Sequence, residues 1–262
     1  MTELKEALNS NPYLTDEVKN DMNSNLEVLF NAFPNIDIDY TKDKLRKLQI
    51  EALPRLGEYE DVKCSDLNLV RVSRESLEEK DGNNMSMQIL LKGLFPNGNS
   101  KLDALYNGMT EMIANSLVGG SSFSDEYFIC ELLEEIINLD GEEFDTMETA
   151  YLSGNISLIV PFIEDKVGTN LSNQLFDMCN QNYMRRKTSG QSLFPEIEKY
   201  LIEAFYKQNP SMTDTANFDN KLILDPRFFD EEATRYTGLY EVADMYDNLK
   251  KNYYVESKSK AM

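Results

Sequence analysis

The 262-residue chain contains no histidine and no tryptophan. Histidine is the side chain whose ordinary pKa lets it exchange a proton near neutrality. Its absence excludes Ser-His and Cys-His nucleophile pairs, His-ligated zinc and His-ligated haem. Lack of tryptophan removes the strongest aromatic platform for sugars and cations. Cysteine is scarce as well: Cys64, Cys130 and Cys179 stand far apart, with no Cys-x-x-Cys spacing. That pattern argues against a disulfide scaffold or a zinc ribbon and for a reducing environment. The glycines form neither GxxxxGK[ST] nor GxGxxG, so no nucleotide-binding loop is legible. No motif calls for a cofactor.

Positive charge is the next shortage. Lys and Arg number 26 against 46 Asp and Glu, a formal net charge of −20. Such a surface repels phosphate backbones and anionic lipid, so direct nucleic-acid binding and membrane attachment are not expected. No apolar run approaches the length that crosses a bilayer. The start, Met1-Thr-Glu-Leu-Lys-Glu-Ala-Leu8, lacks the basic end and apolar run of a signal peptide. The expected location is therefore soluble, in the cytoplasm or in a virion.

What the chain does have is helical periodicity. Thr15 reads as an N-cap for a helix through Val18, Met22, Leu26, Leu29, Phe30 and Phe33, ended by Pro34. A second helix is expected from Thr41, through Leu45 and Leu48, to a stop before Pro54. Between them Ile36–Tyr40 alternates like a short strand or connector. Residues 57–73 are the least helical, and Asp66–Val72 reads as strand. Ser73 is expected to cap a short acidic helix ending near Gly82. Another helix runs through Met85, Ile89, Leu90 and Phe95.

Ser100 is expected to cap a long helix ending before Gly119, and Ser124 the next, which Gly141 ends. Further helices are expected at roughly 142–152, 155–166, 169–187, 192–208 and 230–253, with Pro161 kinking or shortening one. Leu222–Leu224 reads as a short extended piece, and the tail from Glu256 as polar. The predicted class is mainly α, a multi-helix bundle-like body with two or three short strands or extended segments. Residues 1–262 are expected to form a single helical domain, with Gly119–Ser122 the place where it would divide into 1–118 and 123–262.

Acidic and basic runs supply the candidate sites. Glu134, Glu135, Asp140, Glu142 and Glu143 cluster near a helix junction and are weak candidates for a hard divalent cation, which takes oxygen ligands. Acids in a first helical turn also satisfy the helix dipole without binding anything. A second cluster, Asp225 and Asp230–Glu232, reads as another helix start. Arg185-Arg186-Lys187 is a compact basic triplet at a helix C-terminus, and Lys42, Lys44, Arg46 and Lys47 form an exposed basic face. Tyr236, Tyr240, Tyr246 and Tyr253 give the last helix an aromatic surface of the kind enriched at protein interfaces. These tyrosines and the basic triplet are the candidate partner-binding residues.

These features point away from an enzyme. The expected function is a non-enzymatic structural or protein–protein interaction protein, a subunit or accessory factor of a large assembly such as a phage or viral particle. A helical metal-dependent or carboxylate-driven enzyme is the alternative, and an acidic nucleic-acid mimic the second. Three or more carboxylates within metal-ligand distance in one concave site would favour the enzyme; an acidic surface without such a pocket, alongside a large exposed apolar patch, would favour interaction.

Overall fold

A computed structural model describes residues 1–53, 62–64, 68–73, 82–120, 124–137, 146–189 and 191–208. Ten α-helices lie among the described residues: α1 Thr2–Asn9, α2 Asp16–Ala32, α3 Ile38–Lys47, α4 Gly82–Leu94 and α5 Asp103–Val118; then α6 Asp125–Ile137, α7 Thr146–Leu152, α8 Val160–Val167, α9 Thr169–Ser189 and α10 Phe194–Gln208. Three short strands, β1 Gln49–Leu53, β2 Val62–Cys64 and β3 Leu69–Ser73, form one sheet in the order β1-β3-β2. The class is mainly α with a few short strands. The helix expected after Ser73, the Gly141 stop, the Leu222–Leu224 piece, the 225–232 cluster and the 230–253 helix lie outside the described residues.

Capping explains where several helices begin. The Thr15 hydroxyl accepts from the Val18 N–H, and the Ser124 hydroxyl accepts from the Tyr127 N–H at 3.1 Å. Asn99, not Ser100, caps the next start: its side chain accepts from the Lys101 N–H at 3.1 Å and opens a 3₁₀ turn over Ser100–Leu102. That turn leads into α5. Pro161 sits in the first turn of α8, where its missing N–H leaves no hydrogen bond unmade, so it does not kink the helix expected over 155–166 but opens a shorter one.

Three local readings are corrected. Ile36–Tyr40 is not a strand: the Asp37 carboxylate accepts from the Tyr40 N–H at 2.9 Å and starts α3 three residues before Thr41. Five alternating residues are too few to outweigh a good cap. The same helix does not run on to Pro54. After Leu48 the chain becomes β1, paired in parallel with β3 so that Ile50 faces Val70 and Ala52 faces Val72. Pairing with a segment some twenty positions away overrides local periodicity here. The third correction is α1, which is not among the expected helices. It buries only Leu4, Ala7 and Leu8.

Ion pairs fasten α1 to its neighbours. Lys42 of α3 meets Glu3 and Asp39, each at 2.7 Å, and Lys5 pairs with Glu27 of α2. The hydrogen bonds from Lys42 hold the Glu3 and Asp39 carboxyls below their ordinary values and raise the lysine. Lys47 pairs with Asp43 at 2.7 Å. Part of the basic face of α3 is thus neutralised within the chain. Just beyond α1, the buried Asn11 amide donates to the Leu45 and Leu48 carbonyls at 2.6 and 2.9 Å, satisfying oxygens at the C-terminal end of α3.

The core is organised around α5. Leu105, Met109, Ile113 and Ala114 are buried, and so are Gly108 and Thr110, so this helix is enclosed on more than one side. It contacts α2, α4, α6, α7 and α9. The α6 partner face carries Phe128, Ile129, Leu132, Leu133 and Ile136, as its periodicity predicts. The two helices on either side of residues 119–122 therefore pack directly on each other.

On α10, Glu198 is 5% exposed, its Oε2 has no hydrogen-bond partner among the described residues, and burial pushes its carboxyl from an ordinary 4.5 up to about 8. A raised acid stays protonated when folded but ionises when unfolded. Its contribution to stability is complete below pH 4.5 and is lost as pH rises to about 8. Glu198→Met is expected to be more stable than wild type at pH 8 by on the order of 2 kcal/mol, and little changed at pH 4. Urea unfolding at the two pH values checks this; equal stability at both would refute a buried neutral carboxyl.

Candidate functional site

The α2–α3 connection, residues 32–37, faces α7 across a groove of about 780 Å³. Phe33, Pro34, Ile36 and Tyr40 line one wall, Leu152 the other, and buried Phe95 lies at the base. Pro34 and the cap at Asp37 place this wall: the first ends α2 and the second starts α3, leaving a tight corner between them. Phe95 is held by its ring contact with Tyr151, centroids 6.0 Å apart. Tyr151 in turn shares a 2.8 Å hydrogen bond with the Thr110 hydroxyl of the central helix. Tyr40 is 43% exposed and neighbouring Ile38 44%, so apolar surface continues out of the groove onto α3.

A second concavity of about 400 Å³ adjoins the first. Tyr127, Glu131 and Glu134 of α6 reach it at helical spacing, with Met112 and Asn115 of α5 and Glu148 of α7. The Tyr127 hydroxyl donates to Glu131 Oε1 at 2.5 Å, which orients that buried carboxylate. Glu148 lines both concavities and is the wall they share. The groove is apolar at its base and acidic behind it.

Deeper acids serve the fold. Asp125 is fully buried at the first turn of α6, where a helix dipole favours negative charge. Its Oδ2 accepts from the Asn182 amide at 3.1 Å and the Ser192 hydroxyl at 2.7 Å. Asn182 Oδ1 accepts from the Leu193 N–H at 2.5 Å, so one amide ties α6, α9 and the start of α10 together. Cys130 and Cys179 are free and buried, and burial raises both thiols, which removes the thiolate that reactivity needs.

Of the residues singled out from sequence, Glu134 lies half-buried in the acidic concavity and Glu135 lies in α6. Asp140, Glu142 and Glu143 lie outside the described residues, as do Tyr236, Tyr240, Tyr246 and Tyr253. Among the described residues no three Cys, Asp or Glu side chains are grouped to hold a metal ion. Arg185 is exposed on α9 beside Asp177, Gln181 and Met184, around a shallow hollow. Arg186 and Lys187 belong to the same helix. Sequence reasoning missed Glu131, Glu148 and the groove residues. The Tyr127, Glu131, Glu134 spacing was a usable signal for one helix face. Nothing local linked that face to Glu148.

Among the described residues no helix is long and apolar enough to cross a membrane. No family model, curated protein or solved structure matches the chain.

Proposed function

We propose that the chain is a non-enzymatic interaction protein, a subunit or accessory factor of a larger assembly, and that it meets a protein partner at the groove between the α2–α3 corner and α7. The observation that supports this reading is the groove itself. Phe33, Pro34, Tyr40 and Leu152 present apolar surface in one concavity, extended by exposed Ile38. Contiguous exposed apolar surface of this kind characterises binding faces.

Affinity capture of the full chain from its native source, quantified by mass spectrometry, tests the reading. Wild type is expected to recover a partner in stoichiometric amount, and Tyr40→Asp to lose it. Tyr40 lies in the first turn of α3, where an acid suits the helix dipole, so this variant leaves the fold intact. Capture of the wild-type chain alone, or equal capture by the variant, would overturn the proposal.

A further inference from the structure

Strand β1 lies at the end of its sheet, and its outer edge has no partner strand among the described residues. The Gln49 N–H donates to the Asn68 carbonyl at 2.7 Å, so Gln49 turns its backbone groups toward β3. Inward and outward residues alternate along a strand. Glu51 and Leu53 therefore also pair with β3, while the N–H and C=O of Ile50 and Ala52 point outward. Among the described elements β1 has a substantial contact with β3 alone, whereas α4 packs against both β2 and β3. Ile50 and Ala52 are accordingly half-buried, although their register partners Val70 and Val72 are fully buried. A charge that would blunt this edge, Glu51, is paired with Arg71 of β3 at 2.8 Å. Just ahead of the strand, Arg46 in the last turn of α3 is exposed and has no ion-pair partner among the described residues.

We infer that the outer edge of β1 takes an extended segment of a partner protein as a further strand, with alternating apolar residues and an acid at its C-terminal end. No residue of β1 is among the described lining of the groove, so the two surfaces are independent. The outward groups of Ile50 and Ala52 repeat at about 6.6 Å, the period that an extended backbone matches. Side chains on one face of the added strand cover the exposed flank of Ile50 and Ala52. Those on its other face lie beside Gln49 and Glu51. Antiparallel addition is the more stable pairing. It sets the C-terminal end of the segment beside the head of β1, where the Arg46 guanidinium meets the acid. A second copy would bring another charge of −20 and, paired about Glu51, would oppose that residue to itself. Like charges directly opposite disfavour such self-association.

The test is a selection from a displayed library of random dodecapeptides against the full chain, followed by fluorescence anisotropy on the enriched peptides. These are expected to alternate apolar residues and to close the run with Asp or Glu. Generic attraction to a chain of charge −20 would enrich basic peptides instead. Ala52→Pro removes an outward N–H and leaves in place the bonds of Gln49, Glu51 and Leu53 to β3, as proline does on edge strands. Binding is expected to fall at least tenfold with no change of charge. Arg46→Glu is expected to weaken acid-ended peptides about fivefold and to favour versions ending in lysine. Tyr40→Asp is expected to bind as wild type does. Amide hydrogen exchange reads the backbone directly: bound peptide should slow Ile50 and Ala52 at least tenfold and change Gln49 and Glu51 little.

Undiminished binding to Ala52→Pro, a net-basic consensus or no enriched peptide would overturn the inference. So would slow exchange at Ile50 and Ala52 in the free chain, because the chain's own residues would then cover the edge. A wild-type dimer that Ala52→Pro dissociates would overturn it by placing a second copy there, and loss of binding in Tyr40→Asp by placing the peptide in the groove. Should Ala52→Pro melt well below wild type, Arg46→Glu and the exchange pattern decide.

Discussion

Gly108→Ala is expected to destabilise the protein by about 3 kcal/mol, although alanine is the better helix former. Gly108 lies in the middle of α5, against α6. A Cβ there would come within 2.7 Å of Cys130 Sγ and closer still to the carbonyl oxygen of Glu126. The obstacle is the backbone of a packed helix, which cannot swing aside like the end of a flexible side chain. The Cys130 thiol, which already donates to the Leu105 carbonyl at 3.3 Å, reports how closely the two helices approach. Alanine gains about 1 kcal/mol of helix propensity but forces α5 and α6 apart along their contact. Thermal melting should fall by about 9 °C for a chain of this size. Gly98→Ala is the matched control, since a Cβ there meets nothing within 4 Å. A Gly108→Ala melting temperature within a degree or so of wild type would show that the helices do not meet this closely.

Asn182→Ala is expected to cost a similar amount, about 3 kcal/mol, for a different reason. Asn182 is fully buried, and its amide both donates to Asp125 and accepts from the Leu193 N–H. Alanine leaves a buried carboxylate with one donor fewer and a backbone N–H with no acceptor in place. Asn182→Asp keeps the shape but sets a new carboxylate against Asp125 and Glu126. It should lose more than alanine at neutral pH, because the folded state then holds neighbouring negative charges. As pH falls and the added acid takes up a proton, the penalty should recede below that of the alanine variant. Urea unfolding of both variants between pH 5 and 8 tests the pair. An aspartate variant indifferent to pH would mean that the site admits water.

Helix positions were legible in the sequence wherever the signal was local. Thr15 and Ser124 cap where a hydroxyl before an apolar run should, and the apolar face that periodicity names on α6 is buried. Errors arose where neighbouring residues compete for one role, where distant ones intervene, and where a local signal is short, as at α1 and the Asp37 cap. Asn99 and Ser100 are both good caps, and only the backbone geometry chose between them. Gln49–Leu53 continues a helical pattern, yet its pairing with β3 draws it into the sheet. The site was less legible than the fold. Glu134 was singled out as part of a run of acids along the chain. Its neighbours in space, Glu131 and Glu148, were not.

Composition and periodicity are enough to exclude imidazole chemistry and to set the mainly helical class and the negative charge. These follow from which residues are present and at what period they recur, and they need no knowledge of contacts. Only packing brings residues 32–37, 40, 95, 148, 149, 152 and 153 around one groove, with an acidic concavity behind it. The physical reason is that a helix presents its side chains to whatever packs beside it, and no local rule names the neighbour. The absence of histidine and tryptophan narrows what the groove can do.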